Sequence, residues 1–155
     1  MLSPRTSPEG AERSATLAPP VLVVDDDPGG AADTEARLRA GGYPVVAEAE
    51  GDAVLRLVRA ALTRVVVSEL YVPCAEGRCV VTALKQDRAR LPRLRVLVHT
   101  RHTAPADLDW ALAAGADAVV PKPARDGVLV REVRRLDAVD GAGEGTGIGP
   151  DRGVP

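Results

Sequence analysis

The side chains best suited to chemistry in this chain are carboxylates that follow short apolar runs. Asp25 and Asp26 come directly after VLVV at 21–24, and Glu69 closes RVVVSEL at 64–70. Carboxylates gathered within a few ångströms repel one another. Such a cluster persists only against a cation, either a hard, oxygen-preferring ion such as Mg²⁺ or a nearby Lys or Arg. Lys122 follows the run DAVV at 117–120 and is placed to be that cation. A hydroxyl, Thr100, ends RVLVHT at 95–100, and Pro123 follows the lysine. A second reading stays open for DDDP, a polar turn that caps a helix, because Asp before Pro is a good helix start.

The elements that must position these groups are legible as alternation. Apolar runs at 21–24, 44–49, 64–70, 95–100 and 117–120 alternate with longer amphipathic segments. Unbroken Val runs, rather than strict alternation, indicate strands covered on both faces, as in a parallel sheet. Val54, Leu57, Val58, Ala61 and Leu62 follow helical spacing, with Asp52 expected as N-cap. Leu108, Ala111 and Leu112 begin a stripe that ends at Gly115, and Leu129, Val133 and Leu136 form another. The segment after the first strand is the weakest helix, with Leu38 its only large aliphatic. Repeated βα units predict an α/β fold with a doubly wound five-stranded parallel sheet, whose sites lie beyond the carboxyl ends of the strands. Asp25, Asp26, Ser68, Glu69, Thr100, Lys122 and Pro123 all fall on that edge.

In order and spacing, VLVVDDDP, SELYVP, LVHT and AGADAVVPKP resemble the receiver domain of bacterial response regulators, from Val21 to Leu136. The resemblance implies a flavodoxin-like, CheY-like three-layer sandwich. It also implies an acidic pair that binds Mg²⁺, an Asp four residues before a Pro that accepts phosphate from a sensor histidine kinase, a Thr or Ser that senses the phosphoryl group, and a Lys that completes the pocket. By position, Asp25 and Asp26 match the acidic pair, Thr100 the hydroxyl sensor and Lys122 the lysine. Pro123 matches a proline that the family usually holds in a cis peptide.

The sequence departs from the family where phosphate would be accepted. Four residues before Pro73 stands Glu69, not Asp. The extra methylene advances the carboxylate by about 1.5 Å, and a misplacement of about 1 Å can cost roughly a hundredfold in an aligned transfer. Ser68 is a poor substitute, since alternation along the strand turns it to the opposite face. The expectation is an atypical receiver, a pseudo-receiver, in which Glu69 reaches Lys122 and Thr100. There it either mimics the switched-on form or satisfies the lysine in a relic pocket. Arg101 replaces the small residue that usually follows the hydroxyl sensor. It either fills the pocket and pairs with the carboxylates in place of a metal, or bends into water. Mg²⁺ binding is therefore open. Val119 stands where the family often has a switching aromatic, and Tyr71 and His102 make a bulky pocket edge.

Composition bounds the remaining possibilities. The chain has 155 residues, net charge −2, 45% hydrophobic residues and no Phe, so one aliphatic core is expected. That charge supplies no general field for nucleic acid. No stretch is long and apolar enough for a membrane span or a secretory leader, so a cytoplasmic protein with no membrane association is expected. Cys74 and Cys79 read as reduced thiols, and with His99 and His102 they match no zinc pattern. Trp110 lies off its helix stripe and is a candidate interface residue. Arg125, Arg131, Arg134 and Arg135 read as a solvated basic face. The expected organisation is a tail at 1–20, a receiver at 21–137 and a Gly/Pro-rich tail at 138–155, too short for a helix-turn-helix. The expected function is signalling by protein contact, without nucleic acid and not as an enzyme. The partner would be a sensor histidine kinase or a downstream effector, or a second copy of the chain. The alternative is a conventional phosphoryl-accepting regulator.

Overall fold

The computed structural model describes residues 18–139. The expected tails at 1–20 and 138–155 lie outside the described residues, apart from 18–20 and 138–139. Five strands, β1 (Val21–Val24), β2 (Val45–Glu48), β3 (Val65–Ser68), β4 (Arg95–Thr100) and β5 (Ala118–Pro121), form one sheet in the order β2-β1-β3-β4-β5. All pairings are parallel. The helices are α1 (Pro28–Ala40), α2 (Gly51–Arg59), α3 (Val80–Asp87), α4 (Pro105–Ala114) and α5 (Val128–Ala138). A short 3₁₀ turn, Ala75–Gly77, lies between β3 and α3.

Alternation along the strands divides the core into two layers. Leu22, Val24, Val66, Val96 and Val98 face α2, α3 and α4, where Val54, Val58, Val80, Leu84 and Ala111 meet them. Val21, Val23, Val65, Val67, Leu97 and Val120 face Leu38 of α1 and Leu129, Val133 and Leu136 of α5. β1 and β3, in the middle of the sheet, are buried along their whole length. Their ends, and therefore Asp25 and Glu69, have fixed positions.

The thin apolar face of α1 is offset at its ends. Asp27 caps it by accepting from the Gly30 N–H at 3.3 Å, Pro28 supplies the first turn, and Arg37 pairs with Asp33 at 2.8 Å. α2 departs from expectation at both ends. Glu50, not Asp52, holds the cap position, and the Asp52 carboxylate instead accepts from the Ala75 N–H at 2.9 Å, tying α2 to the loop after β3. Ala61 and Leu62 lie beyond the helix. Ala61 takes a left-handed φ of 56°, and the Leu62 and Ala61 N–H groups close back on Leu57 and Val58 at 3.4 and 2.9 Å. This is a Schellman stop with alanine where glycine is favoured. Leu55 takes the buried place the stripe had assigned further along. On α4 only Ala111 is fully buried and Leu112 is exposed, because the helix lies against the sheet through its smaller residues. Gly115 ends that helix in the left-handed region, as its position suggested.

Candidate functional site

The carboxyl ends of β1, β3, β4 and β5 meet around one ammonium group. β3 ends at Ser68, and the Glu69 N–H continues the ladder by donating to the Val24 carbonyl at 2.8 Å, so Glu69 and Asp25 leave neighbouring strand ends together. Lys122, one residue past β5, is anchored by its own N–H on the Thr100 carbonyl at 2.7 Å and precedes a cis peptide to Pro123. Its Nζ donates to Asp25 Oδ2 at 2.6 Å and to Glu69 Oε2 at 3.2 Å. The lysine side chain is 11% exposed and both carboxylates are buried. Two negative charges and one positive charge thus share a largely dry site, where a pair is worth keeping only if the remaining lone pairs are satisfied.

They are satisfied. Asp25 Oδ1 accepts from the Asp27 N–H at 2.9 Å, and Glu69 Oε1 accepts from the Leu70 N–H at 2.7 Å. The buried Thr100 hydroxyl donates to the Glu69 carboxylate, and its oxygen accepts from the His102 N–H at 3.0 Å. Burial pushes the Glu69 carboxyl up, but Thr100, the Leu70 N–H and Lys122 together outweigh it and hold Glu69 below the usual carboxylate range. It carries a fixed negative charge at neutral pH.

The third acid of the triplet and the nearby arginine sit elsewhere. Asp26 is exposed rather than drawn in beside Asp25 and Glu69. Arg101 does not enter the pocket. Its side chain is 64% exposed and pairs with Asp27 Oδ2 at 3.2 Å, the carboxylate that also caps α1. Lys122 is the buried cation, because its flexible stem passes into a site that a planar guanidinium held by Asp27 does not reach. Both readings of DDDP therefore apply, Asp25 serving the pocket and Asp27 the helix. Among the described residues no group of three or more His, Cys, Asp and Glu side chains is arranged to hold a metal ion. Asp25 and Glu69 are drawn onto Lys122 while Asp26 is exposed, so the three carboxylates are not gathered about a common point as a shared Mg²⁺ would require.

Gly30 is a site residue that the sequence reading missed. A Cβ there would lie 2.5 Å from Asp25 Oδ2 and 3.2 Å from Lys122 Nζ, so only glycine lets α1 come this close to the pair. Its signal was a glycine pair inside a helix start immediately after the acidic run. Val119 is half-buried against the α2–α3–α4 layer. His99 is buried, and since a carbonyl only accepts, its Nδ1 carries the hydrogen donated to Val120 O at 2.8 Å. Burial holds the His99 pKa below its usual value, so the ring is neutral. The pocket edge is aromatic. The Tyr71 ring meets His102 edge-on at 4.9 Å and Trp110 at 5.5 Å, and its hydroxyl donates to Asp107 at 2.5 Å. Trp110 is exposed.

The sheet order and this lysine-centred edge accord with what the chain is similar to. The family model described as response regulator receiver domain matches residues 21–134. The chain belongs to the response regulator receiver family. It is 32% identical over 123 residues to the transcriptional regulatory protein PrrA of Mycobacterium tuberculosis, covering 79% of this chain and 52% of that protein. It is 31% identical over 119 residues to the DNA-binding response regulator MtrA of Mycolicibacterium smegmatis, covering 77% and 50%. The chain thus spans about half the length of the curated relatives it matches. In fold it is similar to a CheY-like receiver domain protein from Methanospirillum hungatei, with TM-score 0.68, 22% identity and coverage of 81% and 99%. A receiver is the signalling module of two-component systems. No helix among the described residues is long and apolar enough to cross a membrane.

Proposed function

We propose that this receiver is a pseudo-receiver, in which Glu69 replaces the phosphate-accepting Asp and supplies a standing negative charge to Lys122 and Thr100. The observation that carries this reading is the lysine bridge from Asp25 to Glu69, at 2.6 and 3.2 Å. In a phosphorylated receiver the lysine and the hydroxyl gather on a phosphoryl group; here they gather on a carboxylate that is always present. The substitute is partial, since a planar monoanion lacks the phosphoryl group's charge of about −1.5 to −2 and its three acceptor oxygens. Glu69 is also held by three donors, the Leu70 N–H, the Thr100 hydroxyl and Lys122, rather than left free to meet a phosphodonor. Mg²⁺ binds weakly on this reading, since Asp26 is exposed and Asp25 and Glu69 are held on Lys122 rather than converging with Asp26.

The protein then acts by contact, in the cytoplasm, with a sensor histidine kinase, a downstream effector or a second copy of itself. The relatives' names refer to transcription and DNA binding. On this reading the receiver itself makes no nucleic-acid contact. Incubation with Mg²⁺ and acetyl phosphate, followed by intact mass, tests the reading. No phosphoryl adduct is expected. A stoichiometric adduct removed by hydroxylamine restores the conventional, phosphate-accepting function.

A further inference from the structure

At the opposite edge of the sheet, below the amino ends of β3 and β4, lies a cleft of about 310 Å³ whose walls include Ala61, Arg64, Arg90, Leu91, Arg93 and Leu94. This volume is at the lower end of the roughly 300–1,000 Å³ typical of small-molecule sites. Leu94 is buried and Leu91 half-buried against the core, and they give the cleft an aliphatic floor. The lining carries three arginines and no carboxylate.

These arginines are not all neutralised. Arg64 pairs with Asp137 at 3.2 Å, yet its Nε–H is shielded from solvent without an acceptor. Neighbouring Arg59 and Arg88 are matched by Asp87 and Asp117. Arg90 and Arg93 are exposed and have no carboxylate within ion-pair distance among the described residues. The backbone around them is set by the core. The Leu91 and Leu94 N–H groups close turns on Asp87 and Leu91 at 3.0 Å each, and Thr63 fixes the facing wall with its hydroxyl 2.7 Å from the Pro20 carbonyl. A small cleft with a greasy floor and unmatched guanidinium groups on its rim suits one ligand class, an anionic head on a short apolar body. Guanidinium forks bind carboxylates and phosphates in two-pronged fashion, and the floor removes the apolar body from water.

We propose that this cleft is a binding site for small amphipathic anions, a carboxylate or phosphate ester bearing a short aliphatic chain, held by Arg90 and Arg93 over Leu91 and Leu94. The site is independent of Glu69 and of the reading proposed for it. The test is amide NMR of the ¹⁵N-labelled full chain titrated separately with hexanoate, hexyl phosphate, hexanol, inorganic phosphate and an acidic leucine-containing peptide. Hexanoate or hexyl phosphate should shift amides at 61–64 and 90–94, and should bind at least about tenfold more tightly than hexanol or phosphate alone. Arg90→Ala with Arg93→Ala should weaken that binding about tenfold or more, while Arg90→Lys with Arg93→Lys, which keeps the charge but loses the two-pronged geometry, should weaken it by less. The two arginines are exposed, so the double alanine variant should keep the wild-type spectrum elsewhere. No shifts at these amides, equal binding by hexanol, unchanged affinity in the double alanine variant, or binding of the peptide alone would each overturn the proposal. Which of the two head groups binds more tightly identifies the ligand source as carboxylate or phosphate ester.

Discussion

The two edges of the sheet handle charge in opposite ways. At the carboxyl edge a single lysine is buried between Asp25 and Glu69, and each carboxylate oxygen has a donor. At the amino edge Arg90 and Arg93 are exposed, with no carboxylate within ion-pair distance among the described residues. The first arrangement is closed and resists additions, since a new ligand must displace contacts already made in a low-dielectric site. The second is open and loses little when a side chain is removed. On the proposed reading, a receiver whose carboxyl edge is internally satisfied is no longer waiting for a phosphoryl group.

Removing one charge from each edge sharpens this contrast most. Lys122→Met leaves two carboxylates buried without a cation and should cost about 3–5 kcal/mol, read as a lower urea midpoint. Arg90→Ala should change stability by less than about 0.5 kcal/mol. Equal effects would break the comparison. A steric probe comes next. Gly30→Ala drives a methyl into Asp25 Oδ2 and should cost about 1–3 kcal/mol, whereas Gly29→Ala, whose nearest such contact is 3.8 Å away, should be neutral or stabilising. A smaller effect is expected away from both edges, where Ala61→Gly relieves the left-handed stop of α2 and should stabilise by about 1 kcal/mol.

The smallest effect is on pH dependence. Because the folded state holds the Glu69 carboxyl below its usual range, its contribution is present above the unfolded value of about 4.3 and is lost as pH falls through the lower folded value. Glu69→Gln should flatten the acid limb of stability measured by chemical denaturation between about pH 5 and 3. An unchanged slope would show that Glu69 is not preferentially ionised in the fold.

Much of this was legible in the sequence because strand burial and alternation are strong local signals. The Val runs gave the strand order's ingredients, and the positions of Asp25, Thr100 and Lys122 followed from where those runs stop. What was not legible depends on contacts between elements. Asp52 looks like a cap for its own helix, yet Ala75 lies close enough across the loop to take its carboxylate. Asp26 and Asp27 are interchangeable in composition, and only the pitch of α1 decides which one caps it and draws Arg101 outward. Leu112 completes an apolar stripe on paper, but α4 lies flat against the sheet and leaves it exposed. Gly30 matters only because α1 passes over the lysine pair, a distance no local pattern encodes.

The length of the side chain at position 69 carries the account. Its most direct test compares wild type with Glu69→Asp by intact mass after identical exposure to acetyl phosphate and Mg²⁺. Wild type should remain unmodified while Glu69→Asp gains one hydroxylamine-labile phosphoryl group. Stoichiometric modification of the wild-type chain would contradict the account.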